Sequence, residues 1–477
     1  MPRGRSWGLC AIPLLVGLAA SIDANTASDN SAAVEALAND AAGAPPEFAA
    51  DLFIRIAGSP NLDDPARQRE LLENAFMRAY GAQESSKRAA PMVPFDSQAG
   101  GVTRAYATGL DALTLQLRAV MGLVPGDAAR ARQLFEWIDF YLPPASCDTL
   151  LAPVADEYYA TLATIARRTF ADTIEGHAEA VRFFEIYLWR AHLPSEIPGV
   201  LRAVRTMRLS RVEAGYFEGT LSALLEHVDR DARGFSNYGL DIVSLMSDLA
   251  DADRKAGVSG ETLMRAERRL LVAQLSAGRC ADSVAETPIA ETFNTVVRRR
   301  DFAPDLVAPL TTADVWPAKV LGAARAEPYW VSAEARPLLF GLLALRDAAA
   351  GRRSAIIKRS PEWQAAAQRY LSDLELWDGS RERIERDYFD QKSLLYDVYL
   401  NVVLPGALRT RAVRSFVDFL RRSDTGRLPR ALWFANVKRL LERGDAATLP
   451  AMEQSGHYLL SLYARAERLL GNNRRQH

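Results

Sequence analysis

Asn237 and Tyr238 are the side chains in this sequence whose types best suit acid–base chemistry. They fall in Arg233-Gly234-Phe235-Ser236-Asn237-Tyr238-Gly239, read as a loop between two helices with a glycine near each end. Lining a cleft, the Asn amide would stabilise developing charge and the Tyr phenol would exchange a proton. Read structurally, the same residues make a turn in which Ser236 caps the following helix. A second set, Trp316, Tyr329 and Trp330, lies outside any helical stripe in a Pro-rich stretch. Aromatics so placed can stack on a sugar or anchor a partner, or can pin their own loop to the body.

Other constellations read as structure. Glu453 and His457 are four apart on one helix, but two ligands do not make a metal site. His177 between Glu175 and Glu179 reads the same way. Asp156-Glu157-Tyr158-Tyr159 opens a helix, where acids complement the dipole and tyrosines pack. The run Arg381 to Asp387 is a solvated face, with Glu382 and Arg386 an i,i+4 pair. There is no Gly-Lys dipeptide for a phosphate loop, no G-x-G-x-x-G, no H-E-x-x-H, no S-x-x-K and no G-x-S-x-G. No cofactor and no metal are expected.

Charge narrows the partners. The 477 residues carry a net charge of −1, and six lysines stand against 52 arginines, the mark of a GC-rich genome. A balanced chain has no long-range field for nucleic acid or an anionic membrane. The expected partner is a protein or envelope component, with a glycan as the other option.

The N-terminus carries an address. Arg3 and Arg5 precede the apolar run Leu9 to Ala20, and Ser21 to Ala24 supply small residues for cleavage. That is the layout of a secretory signal peptide over 1–24, too short to span a bilayer. No later segment is long enough for a span, so a periplasmic or extracellular location is expected. Cleavage leaves Cys147 and Cys280, which in an oxidising compartment are either one disulfide or two separate thiols. A bridge would close a long loop and contribute about 4–5 kcal/mol in the chain-entropy model.

What must position these residues is a series of helices. Residues 25–44 read as a flexible leader with at most one weak helix. An N-terminal helical block over 45–300 is then expected, an irregular connection with four prolines over 301–331, and a C-terminal helical block over 332–472. Within them, apolar stripes of 3.6-residue period predict helices over 102–120, 127–141, 153–171, 176–191, 197–207, 210–228, 236–254, 260–277 and 286–298. The C-terminal set is 332–350, 361–378, 381–403, 407–422, 430–443 and 447–470. At 361–378, Ser360 caps, Pro361 fits the first turn, Trp363, Ala367, Tyr370, Leu371 and Leu374 share one face, and Gly379 ends the helix. Only Ser354 to Ile357 reads as a short extended piece. Serial amphipathic helices with short connections stack as antiparallel pairs. The fold class is therefore all-α, an irregular α-solenoid or α/α toroid-like array with no fixed repeat.

Two functions fit. One is a non-catalytic exported scaffold or binding protein that presents stacked helices to a partner. The other is an exported carbohydrate-active enzyme, a lyase or hydrolase, on an α/α toroid. Convergent titratable groups in a deep cleft would favour the enzyme.

Overall fold

The computed structural model describes residues 31–299, 307–315, 320–324, 329–379, 384–423 and 426–471, apart from 92 and 282–285. The expected signal peptide lies outside the described residues, as does Trp316. Twenty-two helices occur among the described residues, with two small two-stranded ladders. The first, α1, covers 31–41. It is followed by α2 (Pro46–Ala57), α3 (Pro65–Ala79), α4 (Gln98–Tyr106), α5 (Ala112–Leu123) and α6 (Ala128–Glu136). Next come α7 (Asp156–Arg168), α8 (Ile174–Leu188), α9 (Ile197–Thr206), α10 (Arg211–Glu226), α11 (Ala232–Lys255), α12 (Glu261–Ala277), α13 (Glu286–Arg299) and α14 (Thr312–Val315). The C-terminal set is α15 (Ala335–Ala348), α16 (Ser354–Ile357), α17 (Pro361–Leu376), α18 (Glu385–Val402), α19 (Ala407–Arg422), α20 (Arg430–Glu442), α21 (Thr448–Gln454) and α22 (Tyr458–Leu470). The strands are β1 (Arg88–Ala89), β2 (Ala152–Pro153), β3 (Arg279–Cys280) and β4 (Val320–Gly322); β1 pairs antiparallel with β2, and β3 parallel with β4.

Local chemistry sets the helix starts. Asp64, Asp111, Asp127, Thr173, Asp231 and Ser360 each accept from a first-turn N–H, and Ser210 and Glu213 form a reciprocal capping box. The buried faces then stack in sequence: α2 on α3 and α5, α5 on α7, α7 on α9, α9 on α11, α11 on α13. In the C-terminal half α15 packs on α17 and α18, α18 on α20, and α20 on α22. The two halves share one apolar core running from Val34 to Ala466, because α22 packs back on α2 and α4 lies on α20. Phe48 is the pivot of that junction: fully buried, it meets Trp433, Phe434 and Tyr463 edge-on at 6.0, 5.6 and 6.1 Å. No helix among the described residues is long and apolar enough to cross a membrane.

Several expectations need correction. The flexible leader is helical from 31 to 41, where Val34, Leu37, Ala38 and Ala41 form a stripe buried in the core. The helix expected over 102–120 is two, α4 and α5, separated at Gly109, whose φ of 66° suits a residue without a side chain. The helix expected over 447–470 divides in the same way at Gly456, φ 71°. Ser354 to Ile357 is a helical turn rather than an extended piece. The supposed loop 233–239 is the first two turns of α11, capped by Asp231 rather than Ser236. Cys147 and Cys280 form a disulfide that joins the segment after α6 to the end of α12, 133 residues apart, with Cα atoms 5.2 Å from each other.

Candidate functional site

Asn237 and Tyr238 lie half-buried in the first two turns of α11. The Asn237 amide donates to the carbonyls of Leu150, at 3.0 Å, and Ala89, at 3.4 Å, so it ties the β1–β2 ladder to α11. Tyr238 is held in its protonated form: burial pushes its pKa well above the usual phenol value, and Asp156 and Asp241 push the same way. A phenol so disposed is a poor acid at neutral pH.

Tyr329 and Trp330 are anchors of the connecting segment. Tyr329 is buried and its hydroxyl donates to Asp390 of α18, while the Trp330 indole N–H donates to the carbonyl of Asp96 at 3.1 Å. Arg104 of α4 completes this cluster with two bonds to the Asp390 carboxylate, at 2.7 and 2.9 Å. Three remote parts of the chain are thereby fastened at one buried acid. The same group pushes the Tyr329 phenol far above its ordinary pKa, second to burial.

The remaining histidine candidates are also structural. Nδ1 of His457 faces the Leu460 N–H as the cap of α22, and burial lowers its pKa. Glu453 pairs instead with Arg468 at 2.7 Å. His177 pairs with Glu213 at 3.1 Å.

The feature the sequence reading missed is a cleft of about 590 Å³ where the two ends of the chain meet. Its walls are α2, α5, α20 and α22, with Lys87, Glu157 and the turn at 107–109 along the rim. Asp51, almost fully buried, accepts from Arg118 at 2.8 Å and from the Tyr463 hydroxyl at 3.1 Å. Burial, with Asp51 beside it, raises the Tyr463 pKa well above its usual value. Arg55 pairs with Glu467 at 2.9 Å, and Lys87 with Glu157 at 2.7 Å. Lys438 and Glu442 lie one turn apart on the α20 wall and have no partner among the described residues. Three acids are thus already met by fixed cations, while one cation and one acid remain for a visitor. Residues more than four hundred positions apart build this site, so no local motif could announce it.

No family model, curated protein or solved structure matches this chain.

Proposed function

We propose that the protein is an exported, non-catalytic binding scaffold whose junction cleft receives a polar segment of a protein or envelope partner. The observation that supports this most is the state of the cleft's charges. Asp51, Glu467 and Glu157 are each held by an Arg or Lys within 2.9 Å, which gives a rigid pattern of alternating sign. Such a pattern selects a partner's register and orientation. Lys438 and Glu442 offer the uncommitted charges that a complementary partner segment would meet. Export rests on the N-terminal layout of Arg3, Arg5 and the apolar run to Ala20, with the disulfide as a companion feature.

The test has two parts. The tagged protein is fractionated and its N-terminus sequenced; recovery outside the cytoplasm with a new terminus at or just after Ser21 to Ala24 is expected. A photoreactive side chain replacing Leu441 in the cleft wall is then used in cells. One dominant adduct is expected, lost when Lys438→Glu and Glu442→Lys are combined. Cytoplasmic recovery with an intact Met1 overturns the export part. Turnover of a polysaccharide abolished by Tyr238→Phe overturns the scaffold part.

A further inference from the structure

The segment just after α6 carries a second site with different chemistry. From Trp137 to Leu142 the chain alternates strictly: Ile138, Phe140 and Leu142 are buried, while Trp137, Asp139 and Tyr141 face out. Trp137 closes the last turn of α6 with helical backbone, and Asp139 and Tyr141 follow it outward along the border of one surface pocket. Trp137 is 53% exposed and Tyr141 66%, and the two rings border the same pocket.

Both rings are held in place while keeping a face open. The Arg130 guanidinium lies 5.2 Å from the Trp137 ring centroid and is itself fixed by Glu73 at 2.9 and 3.1 Å. The Tyr80 hydroxyl donates to the Trp137 carbonyl at 3.1 Å. Tyr141 stacks on His192 with centroids 5.4 Å apart and planes 12° from parallel. His192 is set in turn by its contact with the buried Glu196 at 3.2 Å. Trp137, Asp139, Tyr141 and His192, with Glu136 and Arg190, border a pocket of about 520 Å³. Glu136 and Asp139 have no hydrogen-bond partner among the described residues.

Rigid open aromatic faces suit the C–H faces of a pyranose ring, and the flanking carboxylates accept from its hydroxyls while Arg190 donates. Two acids opposite one arginine and a histidine leave little net charge, which selects a neutral ligand over a strongly ionic one. The geometry points to a binding site for a neutral oligosaccharide across Trp137 and Tyr141, separate from the junction cleft, with which it shares no lining residue.

The test uses purified mature protein, with cellohexaose, maltohexaose, xylohexaose and the hexamer of N-acetylglucosamine titrated singly by calorimetry and tryptophan fluorescence. Saturable binding of at least one hexasaccharide is expected. Trp137→Ala should weaken it about tenfold, the loss of one aromatic contact of about 1.4 kcal/mol. Tyr141→Ala should weaken it severalfold, and Phe340→Ala, an exposed ring on α15, should leave it unchanged. Because Trp137 and Tyr141 are exposed, unchanged circular dichroism and melting temperature are expected for both variants. Trp137→Phe, which keeps a ring, should restore most of the affinity. No saturable binding of any of the four sugars up to about 10 mM, a floor near 3 kcal/mol, overturns the inference. Binding that Trp137→Ala and Tyr141→Ala leave intact overturns it as well. Loss of the junction-cleft adduct in the Lys438→Glu and Glu442→Lys background leaves this result untouched, so the two readings fail separately.

Discussion

Replacing Arg104 with methionine removes the guanidinium from the buried cluster that fastens α4, α18 and the segment at Tyr329. Asp390 is 3% exposed and accepts two bonds from Arg104, at 2.7 and 2.9 Å, and one from the Tyr329 hydroxyl. After Arg104→Met the carboxylate keeps only the phenol as a hydrogen-bond partner, with the Arg439 guanidinium the remaining cation near it. Losing the bonded partner of a buried charge costs about 3–5 kcal/mol, and Arg439 places the expected loss at the lower end. Asp390→Asn keeps a neutral acceptor and should cost less, about 2 kcal/mol, from the loss of charge-assisted bonds. Combining Arg104→Met with Asp390→Leu replaces both charges with apolar groups of similar bulk. That pair should lose less than the sum of its single changes by at least about 2 kcal/mol. Urea midpoints read by near-ultraviolet circular dichroism give the energies. Hydrogen exchange of peptides from α4 and α18 shows whether the loss is local. A loss below about 1 kcal/mol for Arg104→Met, or strictly additive changes, refutes the assignment of this cluster as a buried fastening.

Two further outcomes follow from groups described above or packed beside them. The disulfide should leave the mature chain with no thiol accessible to an alkylating reagent before reduction. Cys147→Ser or added reductant should lower the melting temperature, with an upper bound of about 5 kcal/mol from loop closure; two reactive thiols in the native exported protein would refute it. Asp253 of α11 is buried close to Glu218, and burial first, then that carboxylate, raises its pKa from 3.8 to about 6. A carboxyl whose folded value lies above its unfolded value favours folding below pH 4, and that contribution is lost as pH rises through about 6. Asp253→Asn should therefore stabilise the protein at pH 7.5 by about 1 kcal/mol, a figure reduced from the roughly 3 kcal/mol of the full shift because water reaches the site. Near pH 4 the change should be close to neutral. A benefit of equal size at both pH values refutes the linkage.

The helix at 361–378 was legible because start, stripe and stop agreed there, and the others were legible from their apolar stripes. Ser360 does cap α17, and Trp363, Ala367, Tyr370, Leu371 and Leu374 are its buried face. Glycine was the main source of error, since it serves two opposite ends. Gly109 and Gly456 interrupt helices through positive φ. Gly239 instead lies inside α11, where a Cβ would come within 2.7 Å of Ile289 on α13; its small size permits close packing of two helices. Read as a breaker, it turned a helix start into a loop and placed Asn237 and Tyr238 on it. The leader misled by composition, because its Ala, Asn and Asp masked the spacing of Val34, Leu37, Ala38 and Ala41. The helix expected over 127–141 ends at Glu136 with Trp137 as its exposed C-cap, and from Ile138 to Leu142 the side chains alternate between core and solvent, which leaves Tyr141 outside. The disulfide was one of two open options, because spacing along the chain says nothing about Cα distance.

The docking of the last helix on the second also constrains how the chain is made. Phe48 and Asp51 find Trp433, Phe434 and Tyr463 only after more than four hundred residues have been synthesised. A growing polypeptide therefore carries an unfinished apolar surface at its leading end until the ribosome has delivered α22. Sequence separation of this kind slows folding, since the largest loop must close before its contacts contribute. Under the proposed export, that delay would keep the polypeptide slack until its passage through a narrow channel is nearly complete.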